Sequence, residues 1–471
     1  MDNQVTISIW LFFVLLAVAI WAILDRVLIP STRWFLRRRI NRVIDEISIR
    51  LDVKVKPFQI TKRHVLVDRL VYDPQVIEAI QQKAIERECP REVVQAEVLS
   101  YAKEIVPSFN AYLYFRLGYW LAKKIARLLY CVRIGLAGSQ EFASIAPEST
   151  VVFVMNHRSN MDYILVAFLA AEKAALSYAV GEWAKIWPLQ TLIRAMGAYF
   201  VRRKSGNPLY RRVLERYISM ATKEGVCQAV FPEGGLSRDG CLRPPKLGVF
   251  DYMLRNYEPQ KDRDIVFIPV GINYDRTLED RSLVRTLDPE APQRSGWFAI
   301  KTTVRFIWRC VMLMILSRWQ RFGYACVNFG PQISMHKYCR EADIDFSRMQ
   351  RDARFSEIEK LAERLMSDIK QVVPALPVSL VATVMRETGD QGLSAFEVEA
   401  HVNQLIEKLQ AESVPVYVTT RSRVQTILDA LNMLKLRHLV VESDGIYKVV
   451  PEEYDVLSYY ANSIVHWTTV S

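Results

Sequence analysis

The sequence has little of what builds a metal centre or a disulfide framework. Its seven cysteines are odd in number and scattered, and no two of them form a C-x-x-C pair. Most of its few histidines lack a carboxylate or cysteine at a metal-ligand spacing: His64, His336, His401, His438 and His466. These absences exclude a zinc-finger or disulfide-rich protein. They predict reduced thiols in a cytosolic compartment, and neither a metal nor a bound organic cofactor.

Internal repeats and low-complexity tracts are also absent from the sequence, which excludes a solenoid. Hydrophobic residues make up 51% of the 471 residues, enough for a sizeable core and for two or three structural units. The formal net charge of +11 implies an anionic partner. Nucleic acid, the anionic face of a membrane and a phosphorylated substrate all satisfy this charge, which does not choose among them.

One hydrophobic run, residues 5–24, is long enough to cross a membrane. As a helix it spans about 30 Å, the thickness of the hydrocarbon core. A cleaved signal peptide is the alternative, but no basic region precedes the run and no small-residue cleavage site follows it. Asp2 is the only charged residue ahead of it, whereas six arginines come after it: Arg26, Arg33, Arg37, Arg38, Arg39 and Arg42. We therefore expect a single transmembrane anchor at residues 1–30, with the bulk of the chain on the cytoplasmic side.

Residues 31–140 are predicted to form a helical region. Pro74 and Pro90 each stand at or near a first helical position, ahead of apolar patterns with helical spacing. The segment 109–135 then interleaves tyrosines and a tryptophan with arginines and lysines, which predicts a helix lying in the membrane interface. A core helix with a solvated basic face is the alternative. The segment 301–322 has the same two interpretations.

Residues 141–345 change to short runs rich in β-branched residues, with helical stretches between them. Such runs stand at 150–155, 226–231, 264–272 and 324–329. This alternation predicts an α/β domain with a mostly parallel, buried sheet. Pro269 cannot donate a hydrogen bond to a sheet, so we expect it to end its strand and shape a rim. Residues 346–471 show helical patterns followed by a hairpin signal at Asp444-Gly445, which predicts a mainly helical, winged-helix-like region.

The candidate catalytic pair is His157 and Asp162. The run at 150–155 leads directly into the histidine, and the aspartate follows near the start of a helical pattern. Five residues is the wrong spacing for one helical face, so the side chains meet only if the chain turns between them. Asp162 would then orient the imidazole while its other nitrogen takes a proton from an attacking hydroxyl. If the second substrate is a thioester, the enzyme needs no nucleophilic serine or cysteine, because the deprotonated hydroxyl can attack the activated carbonyl directly. Taken alone, the pair also fits a solvated loop histidine.

Two cationic segments favour the catalytic interpretation of the pair over that of a solvated loop histidine. The segment 232–248 reads PEGGLSRDGCLRPPKLG, where glycines free backbone N–H groups beside Arg238 and Lys246. Such a turn favours binding of a phosphate. Upstream, Arg202 and Arg203 follow an apolar stretch. The alternative for each segment is a basic surface loop.

Four segments in this order resemble the four motif blocks of the glycerolipid acyltransferases: NHRSNMD, GAYFVRR, FPEGGLSRDG and IPVGINYD. Their details, together with VYDPQVIEAI, PPKLG and VNFGPQIS, are similar to the bacterial membrane-bound glycerol-3-phosphate acyltransferases. The resemblance implies that His157 is the general base and Asp162 its partner. It also implies a glycerol-phosphate site, for which the candidates are Arg202, Arg203, Glu233, Gly234, Ser237, Arg238, Lys246 and Pro269.

The third block departs from the family pattern at one position. The family usually has an arginine before the serine, as in GGRSR, whereas this chain has Leu236. One phosphate contact is therefore missing, or it comes from another residue such as Arg202 or Lys246.

The activity implied by the resemblance is transfer of a fatty acyl group from acyl-CoA or acyl carrier protein to the sn-1 hydroxyl of glycerol 3-phosphate. The product would be lysophosphatidate, made in the first step of phospholipid synthesis at the cell inner membrane, with membrane lipid as a partner. Acylation of lysophosphatidate or dihydroxyacetone phosphate is an alternative. A membrane-tethered nucleic-acid-binding protein is an alternative of a different class, but acidic residues interleaved through the tail weaken it, and we expect no nucleic-acid partner.

Overall fold

The computed structural model describes residues 56–136, 145–170, 175–181, 189–202, 205–288, 322–418 and 423–469. The helices before the first strand are α1 (Pro57–Ile60), α2 (Arg63–Val71), α3 (Pro74–Glu86), α4 (Arg91–Ile105) and α5 (Tyr119–Leu129), the last continuing a π-helical turn at Leu113–Gly118. Helices α3 and α4 confirm the two expected after Pro74 and Pro90. Asp73 caps α3 by accepting a hydrogen bond from Gln75 N at 3.0 Å.

The central part of the chain alternates strands and helices. In chain order these are β1 (Cys131–Leu136), β2 (Thr150–Met155), α6 (Met161–Ala170), β3 (Ser177–Gly181), α7 (Leu189–Ala195), β4 (Tyr199–Val201), α8 (Pro208–Lys223), β5 (Gln228–Val230), α9 (Gly248–Leu254), β6 (Ile265–Tyr274), α10 (Asp280–Arg285), β7 (Tyr324–Phe329) and β8 (Ile333–Ser334). The sheet has the order β1-β7-β6-β2-β5-β3-β4, and β8 also pairs with β6.

This sheet is mostly parallel, as the sequence predicts. Its strand pairs are parallel except for those of β6 with β7 and with β8. All residues of β6 are buried, which explains why that strand reads as a continuous apolar run. Each of the four predicted runs overlaps a strand, namely β2, β5, β6 and β7, and β6 extends two residues beyond its run. The expectation of an α/β core with a buried, mostly parallel sheet is confirmed.

Pro269 corrects one sequence prediction, because it lies inside β6 and does not end it. Its carbonyl accepts a hydrogen bond from Gly330 N at 2.8 Å, and a residue's N and O point to the same side of a strand. The position of its missing N–H therefore faces the break between the end of β7 and the start of β8. No ladder hydrogen bond is lost there, so the strand continues to Tyr274.

The segment 109–135 is only partly helical. Helix α5 ends at Leu129, and the following residues form β1, which is parallel to β7 with Cys131 opposite Tyr324. The expected helix is therefore six residues too long, because the alternating sequence CVRIGL suits an edge strand. This strand precedes residue 141, yet it belongs to the same sheet as the core.

The C-terminal part is mainly helical and contains the expected hairpin, which two further helices follow. Its elements are α11 (Met335–Ala342), α12 (Arg351–Val372), α13 (Pro377–Thr388), β9 (Leu393–Ser394), α14 (Ala395–Ala411), α15 (Arg423–Leu436), β10 (Val440–Ser443), β11 (Ile446–Val449), α16 (Tyr454–Asn462) and α17 (Val465–Thr468). Strands β10 and β11 pair across Asp444-Gly445, and β9 joins them as a third strand. A capping box at Ser394 and Glu397 starts α14.

Buried polar groups tie this C-terminal part to the end of β6. The Asp275 carboxylate accepts hydrogen bonds from Tyr324 N at 2.7 Å and Val378 N at 3.0 Å. The side-chain amide of Asn273 donates to the Pro374 carbonyl at 2.9 Å. These groups are buried and hydrogen-bonded, so they fix the junction between the sheet and α13.

Several predictions concern residues outside the described ranges. These are the anchor at residues 1–30, the second surface helix at 301–322 apart from its last residue, and Arg203. Among the described helices, none is both long and apolar enough to span a bilayer. The predicted domain boundaries stay predictions.

Candidate active site

The His157 and Asp162 side chains meet at the carboxyl end of β2. The strand ends at Met155, the loop carries the histidine, and the aspartate lies in the first turn of α6. His157 Nδ1 is 2.9 Å from Asp162 Oδ2, and both side chains are buried. The contact confirms that the chain turns into the helix between them. Since a carboxylate accepts hydrogen bonds, it favours the tautomer with the proton on Nδ1 and a lone pair on Nε2.

Three further donors hold the Asp162 carboxylate. Oδ2 accepts from the backbone N–H groups of Arg158 at 2.8 Å and Ser159 at 3.1 Å. Oδ1 accepts from the hydroxyl of Tyr274 at 2.7 Å. Burial, reinforced by the adjacent Asp162 charge, raises the pKa of Tyr274, so its hydroxyl stays protonated and donating. These contacts fix the position of the buried Asp162 carboxylate.

Aromatic rings fix the plane of the imidazole. The His157 ring stacks on Phe231 with a centroid distance of 4.0 Å and an interplanar angle of 27°. Tyr163 meets the same ring edge-on at 5.4 Å, and its hydroxyl lies 3.5 Å from Nε2. With Nδ1 held by Asp162, these contacts leave Nε2 as the ring atom that can exchange a proton with a substrate.

The glycine-rich turn is joined directly to the histidine loop. Ser237 N donates to the His157 carbonyl at 2.9 Å, and His157 N donates to Glu233 Oε1 at 3.2 Å. Burial raises the pKa of Glu233 to about 7, against the opposing charge of Arg158. Among the described residues, its second oxygen, Oε2, has no hydrogen-bond partner. The structure therefore brings the first and third motif blocks together.

Gly234 and Lys246 lie against each other in this turn. Gly234 has a φ of +68°, and a Cβ built there would lie 2.6 Å from Lys246 Cδ. The Ser237 hydroxyl is buried and donates to the Cys241 carbonyl at 2.8 Å, so it shapes the turn. Arg238 and Lys246 are exposed on its surface. Their phosphate-binding roles stay predictions.

Arg202 is already engaged by protein groups. Its Nε and Nη2 donate to the Glu104 carboxylate at 3.0 and 2.6 Å, and its guanidinium lies 5.2 Å and 5.1 Å from the ring centroids of Tyr101 and Tyr210. The hydrogen bonds with Glu104 raise the pKa of the Arg202 guanidinium above its ordinary value. Among the described contacts, none links Arg202 to His157. Pro269 lies within β6 opposite Val154 of β2, and its role in the site stays a prediction.

Two site residues were missed by the sequence reasoning, although both stand in recognised blocks. Tyr274 in the fourth block donates to Asp162. Arg158, next to His157, is almost fully buried and donates to the carbonyls of Gly240 and Ser463, the second at 3.2 Å. It therefore joins the histidine loop, the glycine-rich turn and the C-terminal part. The motif blocks indicated that these polar side chains are important, but they did not indicate which group each side chain contacts.

Glu279 supports the same loop from outside the blocks. Its carboxylate accepts from the Ser159 hydroxyl at 2.7 Å and from the Asn160 side-chain amide at 3.1 Å. Burial raises the pKa of Glu279 above its ordinary value. The loop that carries His157 is thus held on both sides by carboxylates.

Two family models match the chain. The acyltransferase model covers residues 137–273, and the model described as the glycerol-3-phosphate acyltransferase C-terminal region covers residues 312–470. The family resemblance is confirmed. The first match contains the His157 pair and the glycine-rich turn, and the second contains the helices and hairpin that pack against them.

Curated relatives agree with this result. The chain is 26% identical to the glycerol-3-phosphate acyltransferase of Aeromonas hydrophila over 87% of this chain and 50% of that protein. It is 26% identical to the protein of the same name from Pseudomonas syringae pv. syringae, over 86% of this chain and 49% of the relative. The chain spans about half the length of the curated relatives it matches.

A solved structure is also similar in part. The crystal structure of the 1-acyl-sn-glycerophosphate acyltransferase of Thermotoga maritima aligns with 54% of this chain and 79% of that one. The sequences are 17% identical and the TM-score is 0.31, too low to decide details of the fold.

Proposed function

We propose that this chain is a glycerol-3-phosphate O-acyltransferase that acylates the sn-1 hydroxyl. The observation that carries the proposal is the His157–Asp162 contact, with a glycine-rich cationic turn hydrogen-bonded to the same loop. A base for a hydroxyl and a turn suited to a phosphate then lie within one site. That combination fits an alcohol that carries a phosphate.

The chemistry needs only these side chains and a thioester. Nε2 of His157 takes the proton of the acceptor hydroxyl as its oxygen attacks the thioester carbonyl. The tetrahedral intermediate collapses, the C–S bond breaks, and the leaving thiolate takes the proton back from the imidazolium. Asp162 stabilises the imidazolium while it exists, as the carboxylate of a catalytic triad does. Acyl-CoA or acyl carrier protein is the donor, and no bound cofactor enters these steps.

Glu233 is proposed to bind the acceptor. Its Oε1 receives the His157 N–H, whereas Oε2 lies buried in the same cluster without a partner among the described residues. A buried oxygen without a partner is costly unless a ligand satisfies it. A hydroxyl of the glycerol backbone has the right donor for this atom.

Arg238→Ala is expected to raise the KM for glycerol 3-phosphate by roughly tenfold or more, the effect of one charge-assisted hydrogen bond. Arg238 is exposed on the turn that Ser237 joins to the His157 loop, so it can meet a phosphate without moving the base. Steady-state kinetics with both substrates varied will measure this. The KM for acyl-CoA serves as the internal control and should stay constant. An unchanged KM for the acceptor removes Arg238 from the phosphate site.

Membrane lipid is the proposed partner of α5 and the turn before it. Leu117, Trp120, Leu121 and Leu128 are exposed apolar side chains, between 37% and 54% accessible. Arg116, Lys124 and Arg127 are exposed on the same stretch. Exposed tryptophan and leucine beside cations suit the surface of an anionic bilayer. A location on the cytoplasmic side of the inner membrane is consistent with a lipid product.

A photo-crosslinking phenylalanine analogue at position 120 is therefore expected to form adducts with lipid in vesicles that contain anionic lipid. The matched control is position 85, where Ile85 is 78% exposed but stands near Glu86 and Glu88. Mass spectrometry of the adducts gives the readout. Equal labelling at both positions, or labelling at neither, contradicts this surface.

The proposed activity is tested by acceptor choice. The full chain in detergent or vesicles is supplied with a long-chain acyl-CoA and, separately, glycerol 3-phosphate, lysophosphatidate and dihydroxyacetone phosphate. Thiol release and product mass are followed for each acceptor. Turnover with glycerol 3-phosphate to give lysophosphatidate supports the proposal. Turnover only with one of the other two acceptors, or with none, contradicts it.

A further inference from the structure

The glycine-rich turn carries a third cation besides Arg238 and Lys246. This residue is Arg243, which is exposed like the other two. Among the described residues, none of the three forms an ion pair with a carboxylate, in contrast to Arg202 with Glu104. Cations that remain unpaired around a turn of freed N–H groups form a site for an anion.

Arg243 folds back onto the first half of the turn. Its Nη1 lies 3.5 Å from the Leu236 carbonyl oxygen, although the two residues are seven positions apart. Leu236 adjoins Ser237, whose N–H is bonded to the His157 carbonyl. The guanidinium therefore contacts the same peptide group, Leu236 C=O to Ser237 N–H, that holds the loop with His157.

A second observation places the same charge near the acceptor site. The positive charge of Arg243 lowers the pKa of Glu233, in opposition to the larger effect of burial. Arg243 therefore acts electrostatically on the carboxylate that contacts His157. Pro244 and Pro245 follow Arg243 directly and restrict the backbone there, so less conformational entropy is lost when the side chain binds.

The position of Arg243 is important because residue 236 is a leucine. The family resemblance leads us to expect an arginine at that position, but leucine provides no charge. The candidate replacement Arg202 is bound to Glu104. Arg243 brings a guanidinium to the main chain of position 236 from elsewhere in the same turn.

We propose that Arg243 binds the phosphate of the acceptor and replaces the arginine that position 236 lacks. This inference rests on the proposed function and identifies a specificity residue for it. A guanidinium presents parallel N–H donors that match two oxygens of a phosphate monoester, which a leucine cannot do. Its contribution therefore goes to recognising the phosphate group, and not to the proton transfer at His157.

The test compares Arg243→Leu with the double variant Leu236→Arg/Arg243→Leu. We expect the single variant to raise the KM for glycerol 3-phosphate about tenfold to a hundredfold, the loss of one charge-assisted hydrogen bond. Its kcat and its KM for acyl-CoA should change less than about twofold, as expected when uniform binding is lost. In the double variant an arginine returns at position 236, and the KM should recover most of the way.

Lys261→Leu is the matched control for net charge. Lys261 is 77% exposed and precedes β6, at the opposite end of the sheet from His157. It should leave all kinetic constants unchanged. Thermal unfolding of every variant then separates a binding effect from lost stability.

Each outcome either supports or overturns the assignment of Arg243 to the phosphate site. A KM that does not rise in Arg243→Leu overturns the assignment, and so does a rise that arginine at position 236 fails to reverse. If the unmodified chain does not acylate glycerol 3-phosphate, the proposed function fails, and this assignment fails with it. Because the unmodified chain is measured first, the two failures are distinguishable.

Discussion

His157→Ala is expected to lower kcat by about two to four orders of magnitude, the usual contribution of a general base. Nδ1 of this histidine is held by Asp162, and its ring is held by Phe231 and Tyr163. Alanine removes the only imidazole of this cluster, so the acceptor hydroxyl must be deprotonated by water. Steady-state turnover with glycerol 3-phosphate and a long-chain acyl-CoA measures the loss.

The fold and membrane binding should persist in His157→Ala. The backbone N–H and carbonyl of residue 157, which bind Glu233 and Ser237, remain in the variant. His401→Ala is the matched control, because His401 is exposed on α14. It should retain full activity. Normal turnover in His157→Ala would rule out the base mechanism, whereas loss of turnover together with unfolding would show a structural effect.

Asp162→Asn is expected to lower kcat by about three to four orders of magnitude, the loss typical of removing the orienting carboxylate of a triad. Oδ2 of Asp162 accepts from His157 and from the backbone N–H groups of Arg158 and Ser159. An amide retains the shape of the side chain but not its charge. It therefore no longer stabilises the imidazolium. It also favours the tautomer with the proton on Nδ1 less strongly than the carboxylate does. Single-turnover measurements of thiol release will isolate the chemical step.

Tyr274→Phe is the graded comparison for this variant. It removes one hydrogen bond to Oδ1 and leaves the carboxylate, the histidine and the loop N–H groups in place. Its loss in kcat should be far smaller than that of Asp162→Asn. If both variants lose the same activity, the effect comes from disturbed packing around β6 and not from the charge of Asp162.

The sequence predicted the local parts of this site well. His157 and Asp162 are separated by one short loop between a β-branched run and a helix, so their contact depends on few residues. The buried strands were also predicted, because β6 is an apolar run from Ile265 to Ile272. The hairpin at Asp444-Gly445 is equally local, since one turn sets its register.

Predictions that depended on distant partners were less successful. Arg202 was a candidate for the phosphate, but Glu104, almost a hundred residues away, binds its guanidinium. Pro269 was expected to end a strand, but the break between β7 and β8 accommodates its missing donor. The sequence around each of these residues does not indicate its distant partner, which is Glu104 for Arg202 and the break between β7 and β8 for Pro269.

The sequence by itself determined the α/β class, the family resemblance and the pairing of His157 with Asp162, because each depends on short-range pattern or on ordered motifs. Only the tertiary structure decided how these parts combine. Tyr274 reaches Asp162 across more than a hundred residues, Arg158 joins the site to the C-terminal part, and Arg243 folds back to Leu236. Hydrogen bonds and charges act through space, so their partners are fixed by packing and not by separation along the chain.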